Sequence, residues 1–203
     1  MTSAQAQSAH RPFPRWQRIL IGFPGICLAT LWGFAEATFF FVIPDVLLSL
    51  VAILSWPRTW KHVVSAIAGA LLGGALLFQW AAADHRSALT TIGQVPFIRE
   101  HMLTQVDESF QTRGLYALLW GSLRGIPYKL YAVQAPQYTS ESNFLLATPP
   151  ARAVRFLLVW AAFGTIAGWL RRRFALRTGH LLLIHSAVWI AVYAFYWGRI
   201  LSG

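Results

Sequence analysis

Acidic side chains and cysteine are what this sequence has least of. Of 203 residues only 7 are Asp or Glu, and Cys27 is the single cysteine. One thiol excludes an internal disulfide and is too few for a cysteine-based metal site, so it reports nothing about redox compartment. We expect Cys27 to be a small packing residue. Charged residues of both signs make up 12% of the chain against 56% hydrophobic ones, a balance too apolar for a soluble domain of this length. Three motifs are also missing. Without a GxxxxGK[ST] the chain supplies no ATP drive, and without an HExxH an intramembrane zinc protease is disfavoured. Gly121-Ser122 lacks the first glycine of a GxSxG, so a serine hydrolase is not indicated either. His180 and His185 are five residues apart and do not share a helical face, while His62 and His85 flank an apolar run and are expected at its interfaces. No cofactor or metal is expected.

What the chain has in excess is basic charge, 17 Lys and Arg, placed mostly at the ends of apolar runs. That placement speaks for membrane topology and against a nucleic-acid surface. Trp16, Trp56, Trp60, Trp80 and Trp197 sit near run edges and suit interfacial anchoring, whereas Trp189 reads as a core residue.

The organisation follows from run lengths. Residues 1–18 are polar, then basic with Pro12 and Pro14, and read as a disordered start followed by an interfacial anchor; residues 19–203 form one membrane domain. From Ile19 to Leu54 the only charges are Glu36 and Asp45. As one helix this run would be about 54 Å long, nearly twice the hydrocarbon thickness. It must break, and Pro24 and Pro44 mark where, so 19–55 reads as a re-entrant unit of short helices. A cleaved signal peptide ending near Ala35-Glu36-Ala37 is the lesser reading, because apolar sequence continues through Val42. Residues 62–83 hold no Asp, Glu, Lys or Arg and predict a spanning helix, with Gly69 and Gly73 set for close approach to another helix of this chain or of a second copy. Residues 96–113 have the spacing of an amphipathic surface helix, read as a solvated linker. Residues 114–140 form a second broken unit around Arg124, Pro127, Lys129 and Pro136. Pro149-Pro150 is expected to open a span over 152–170, and a last span covers 180–200.

The fold class is therefore an all-α polytopic membrane protein with two opposed re-entrant hairpins and about three full spans. Placing Arg171, Arg172, Arg173 and Arg177 on the cytoplasmic side puts Arg58, Lys61 and the N-terminus there too, and makes the broken units enter from opposite faces. That is the pattern of an inverted repeat with a site near the midplane. Arg152, Arg155 and Arg199 stand as exceptions on the outer side.

Glu36 and Asp45 occupy one broken unit, Arg124 and Lys129 the other. Ionisable residues inside a membrane run are costly and face a cavity or a partner of opposite sign, so the two pairs are expected to neutralise each other or to meet a substrate. Arg124 can hold a phosphate or carboxylate, and a desolvated carboxyl can take up a proton. The plain alternatives are structural ion pairing and, for Asp45, capping of a helix that starts at Val46.

Glu36 followed by Pro44-Asp45-Val46-Leu47-Leu48, then Arg124-Gly125-Ile126-Pro127, then Ala151-Arg152-Ala153-Val154-Arg155-Phe156 resembles the DedA family, also called the VTT or SNARE-associated Golgi protein domain, over about residues 30–200. The resemblance implies a multi-pass protein of the inner or plasma membrane that moves or scrambles lipids, with proton-motive force involved in some members. It matches Glu36 and Asp45 to the family's acidic pair and Arg124 to its first essential basic residue, with Pro44, Gly121, Pro127, Arg152 and Arg155 as motif framework. The family's glycine between proline and acid is absent at Pro44-Asp45, and its second arginine is replaced by Leu130, with Lys129 one position early. The expectation is a flippase or scramblase, not an enzyme, whose partner is an anionic lipid head group and which can form a homo-oligomer. On this reading Arg124→Ala and Glu36→Ala abolish function while the protein still inserts. A non-transporting scaffold or envelope-assembly protein is the alternative; an enzyme acting on lipid phosphates ranks below it, for want of a nucleophile and base.

Overall fold

The computed structural model describes residues 14–201 with the exception of Phe97. The expected N-terminal segment over 1–18 lies mainly outside the described residues, and its last part is already helical. Among the described residues the regular elements are all helices: α1 (Arg15–Ile21), α2 (Phe23–Thr38), α3 (Asp45–Ser55), α4 (Trp60–Ala83), α5 (His85–Gly93), α6 (Glu100–Arg113), α7 (Tyr116–Arg124), α8 (Tyr128–Gln134), α9 (Glu141–Phe174) and α10 (Thr178–Leu201), with a 3-10 turn at Ala135–Gln137. Helices α4, α9 and α10 are long and apolar enough to cross a membrane; α1 and α2 qualify only as a pair, bent by 53° at Gly22.

The first apolar run breaks at Gly22 and again across residues 39–44. Pro24 lies in the first turn of α2, where its missing N–H costs nothing, and Pro44 is the N-cap of α3. α2 runs parallel to α4 at very short range. A Cβ on Gly69 would lie 1.9 Å from the Thr30 carbonyl oxygen, and one on Gly33 would lie 2.1 Å from that of Ala66. Lipid offers no hydrophobic drive for helix association, so such close packing is what holds membrane helices together. The Gly69–Gly73 pair is thus spent within the chain, against α2.

α3 returns and packs on α9, with Ile53 against Ala167. α10 docks on α3 through a buried polar cluster. Ser49 Oγ donates to the Asp45 carbonyl (2.6 Å) and lies 3.0 Å from the Trp189 indole Nε1 and 2.9 Å from His185 Nε2. The indole N–H can only donate, so Ser49 Oγ accepts from Trp189.

Between α7 and α8, Gly125 turns the chain at φ 81°, and Gly121 leaves room for the Tyr131 ring. Tyr138 donates a short hydrogen bond to Asp107 and ties α6 to the linker before α9. That carboxylate, as acceptor, holds the Tyr138 hydroxyl above its usual pKa range.

Three expectations are corrected. The span expected over 152–170 is one 34-residue helix that begins at Glu141 and contains Pro149 and Pro150. The prolines leave the Leu145 and Leu146 carbonyls without helical donors. The helix nevertheless continues, because the turns before them are fastened: Ser140 caps Asn143, Phe144 stacks on Phe78 (5.4 Å), and Glu141 accepts from Gln79 (2.9 Å). The amphipathic element begins at Glu100 and is preceded by a separate helix, α5, which Asp84 caps through the Ser87 N–H. Cys27 is exposed and does not take its expected packing place; His62, in the first turn of α4, is buried with Nε2 2.9 Å from the Leu20 carbonyl oxygen.

Candidate functional site

Two hairpins meet tip to tip, and charge collects where they meet. The first tip is the extended segment 39–44 between α2 and α3; the second is Gly125–Pro127 between α7 and α8. Lys129 joins them by donating from Nζ to the Phe40 carbonyl (2.8 Å). Between the tips lies a cavity of about 230 Å³, room for about eight water molecules. Its charged and hydroxyl groups are Glu36, Lys129, Arg155, Tyr193 and Tyr196; Phe41, Ile43, Ile126 and Val192 are among its apolar walls.

Glu36 and Asp45 are 4% and 1% exposed, and each is neutralised by an arginine of α9. Arg152 pairs with Glu36 in a very short contact, and Arg155 donates to Asp45 Oδ2 from Nε at 2.7 Å. The arginines are three positions apart, so both face the hairpin from one side of α9. Arg152 also lies over the rings of Tyr128 (5.0 Å) and Phe156 (4.5 Å), which replace water around its guanidinium. Asp45 starts α3 but caps nothing; its carboxylate is committed to α9.

The expected pairing of these acids with Arg124 and Lys129 is therefore corrected. Arg124 is exposed and points away, over the Trp120 ring (5.5 Å), which Arg113 also approaches (5.2 Å). Those groups line a separate polar cleft that shares only Ile126 with the cavity. Lys129 does reach the site, but its ammonium meets a neutral carbonyl. In their ionised forms, three cations (Lys129, Arg152, Arg155) face two carboxylates, and one positive charge is left uncompensated. Lys129, 2% exposed and on the cavity wall, is the one of the three without a salt bridge among the described residues, since Glu36, the acid that acts on it, is already paired with Arg152. Two polar atoms of the layer, Asp45 Oδ1 and Arg152 Nε, are buried without a hydrogen-bond partner among the described residues.

Among the expected framework residues, Pro44 and Pro127 cap α3 and α8, and Gly121 seats Tyr131. Arg152 and Arg155 do more than frame the site. They were legible as two arginines on one face of an apolar helix, a signal hidden by reading Pro149-Pro150 as a helix start. Tyr193, which accepts from the Ile43 N–H (3.2 Å), had no sequence signal. No cluster of three or more His, Cys, Asp or Glu that could hold a metal occurs among the described residues.

No protein-family model matches this chain, and neither a curated protein nor a solved structure does.

Proposed function

We propose that the chain is a membrane lipid transporter, a flippase or scramblase, that admits the phosphate of a phospholipid or polyprenyl-phosphate head group to the cavity between the hairpin tips. The observation that carries this reading is the uncompensated Lys129 charge on the wall of a cavity whose other walls are largely apolar. An anion entering beside Lys129 completes the charge balance, and the acyl chains stay in the bilayer. Arg155, on the same wall, can turn a second donor toward the phosphate. Glu36 and Asp45 then act through their arginines: protonation of either acid frees an arginine, which gives a route to proton coupling. On this reading both hairpins are re-entrant, the DedA resemblance holds, and the protein sits in the inner or plasma membrane with its N-terminus in the cytoplasm.

The test is translocation of fluorescent anionic lipid by the purified protein in liposomes. Wild type should accelerate it, and Lys129→Gln should slow it about tenfold or more, the effect of one charged contact. Wild-type liposomes no faster than empty ones would shift the reading to a non-transporting scaffold.

A further inference from the structure

At the other end of the protein, Arg58, Arg171 and Arg172 line one cleft of about 580 Å³ together with Trp56, Ser55 and Thr165. Arg58 comes from the α3–α4 turn and the other two from the end of α9, so only the tertiary fold brings them together. Thirteen residues of α9, about 20 Å, separate Gly168 in this cleft from Arg155 in the cavity.

Three guanidiniums on one cleft repel each other unless a counter-charge is near, and here none is. The chain has 7 acidic residues. Glu36 and Asp45 are paired with Arg152 and Arg155, and the other five (Asp84, Glu100, Asp107, Glu108, Glu141) belong to the opposite end, at the close of α4, on α6 and at the start of α9. No carboxylate lines the cleft. Arg171 is already oriented, donating to the Ile53 carbonyl (2.8 Å) and reaching Thr178 Oγ1 (3.5 Å). Arg58 and Arg172 are exposed and make no hydrogen bond or ion pair with a described residue. Gly164 seats the Trp56 side chain against α9, since a Cβ there would lie 2.4 Å from the indole, and both it and Gly168 line the cleft. Trp56, Trp169 and Ile166 expose apolar surface beside it, as a site at the edge of the hydrocarbon would need.

We propose that this cleft is a second anion site, distinct from the cavity, that binds the phosphate of an anionic lipid head group, with dianionic phosphomonoesters such as phosphatidic acid favoured over single-charge diesters. Arg171 supplies the fixed donor, Arg58 and Arg172 close on the phosphate oxygens, and no transport step is required of it.

The full-length protein in detergent, in salt that screens diffuse attraction, is titrated with short-chain phosphatidic acid, with phosphatidylcholine and with inorganic phosphate. Binding is read as a rise in unfolding temperature. Phosphatidic acid should bind, phosphatidylcholine should not, and Arg58→Gln/Arg172→Gln should weaken binding about tenfold or more. Arg173→Gln/Arg177→Gln removes as much charge from the same end without touching the cleft and should weaken it far less. Inorganic phosphate binding as tightly, with the same sensitivity to Arg58 and Arg172, identifies a soluble anion as the source of the phosphate. Equal losses in the two double variants, or no preference for phosphatidic acid over phosphatidylcholine, overturn the proposal. Unliganded unfolding temperatures of both variants should stay near wild type, since no side chain of either pair makes a hydrogen bond or ion pair with a described residue and Arg173 only lies over the exposed Phe174 ring (5.4 Å).

Discussion

Arg152 is the most deeply committed charge in the molecule, since it neutralises Glu36, lies against two aromatic rings and is 1% exposed. Removing one partner of such a pair strands the other charge, so Arg152→Ala and Glu36→Ala should each lower stability by about 3–5 kcal/mol. Glu36→Leu/Arg152→Met removes both charges at similar volume and should recover most of that loss. Thermal unfolding in detergent separates the cases, and a double variant as unstable as the singles would contradict the pairing. Loss of function in Glu36→Ala alone is thus ambiguous between transport and folding; in the double variant it is not. Lys129 differs in kind. Its ammonium bonds a single backbone carbonyl, so Lys129→Gln should leave the unfolding temperature near wild type while the proposed lipid transport falls.

At the scale of elements, the contact of α2 with α4 decides whether the charged layer can form, because α2 carries Glu36. Gly69 and Gly33 face backbone oxygens at distances no side chain tolerates. Gly69→Leu should therefore separate the two helices and show as a lower unfolding temperature and a broadened elution profile, whereas Gly93→Ala, with nothing within 4 Å, should be silent. A Gly69→Leu protein as stable as wild type would mean that the α2–α4 contact is dispensable. The run of α4 was readable because charge is absent over residues 62–83, and the breaks at Pro44 and Pro127 were readable from backbone chemistry, whereas the first one falls at Gly22, two residues before the expected Pro24. The continuity of α9 was not. Local propensity places a helix start at Pro149-Pro150, and packing of the preceding turn against α4 overrides it.

The whole molecule is polarised. Arg15, Arg18, Arg58, Lys61 and Arg171–Arg173 gather at an end without a carboxylate, and the surface acids gather at the other. The cleft that joins Arg58 to Arg172 puts both at one end of the molecule, and the proposed orientation, with that end in the cytoplasm, is directly testable. In a background with Cys27 replaced, Arg58→Cys and Arg173→Cys should react with an impermeant thiol reagent from the cytoplasmic side only, and Ser87→Cys and Ser140→Cys from the opposite side only. Labelling of Ser87→Cys and Arg58→Cys from one and the same side would refute the topology.

Composition and run length by themselves determined that helices long enough to cross a bilayer dominate this chain, since a hydrocarbon layer about 30 Å thick demands apolar runs of about 20 residues and the sequence shows where they are. They also determined which residues were expensive enough to need a reason: Glu36, Asp45, Arg124 and Lys129. Only the tertiary structure decided how those charges are used. Partner choice depends on which faces of separate helices meet, and no local pattern encodes that meeting. Arg152 and Arg155, on a helix that runs through its prolines, took both carboxylates, and Arg124 was left outside the layer. Lys129 was left as the cavity's uncompensated charge.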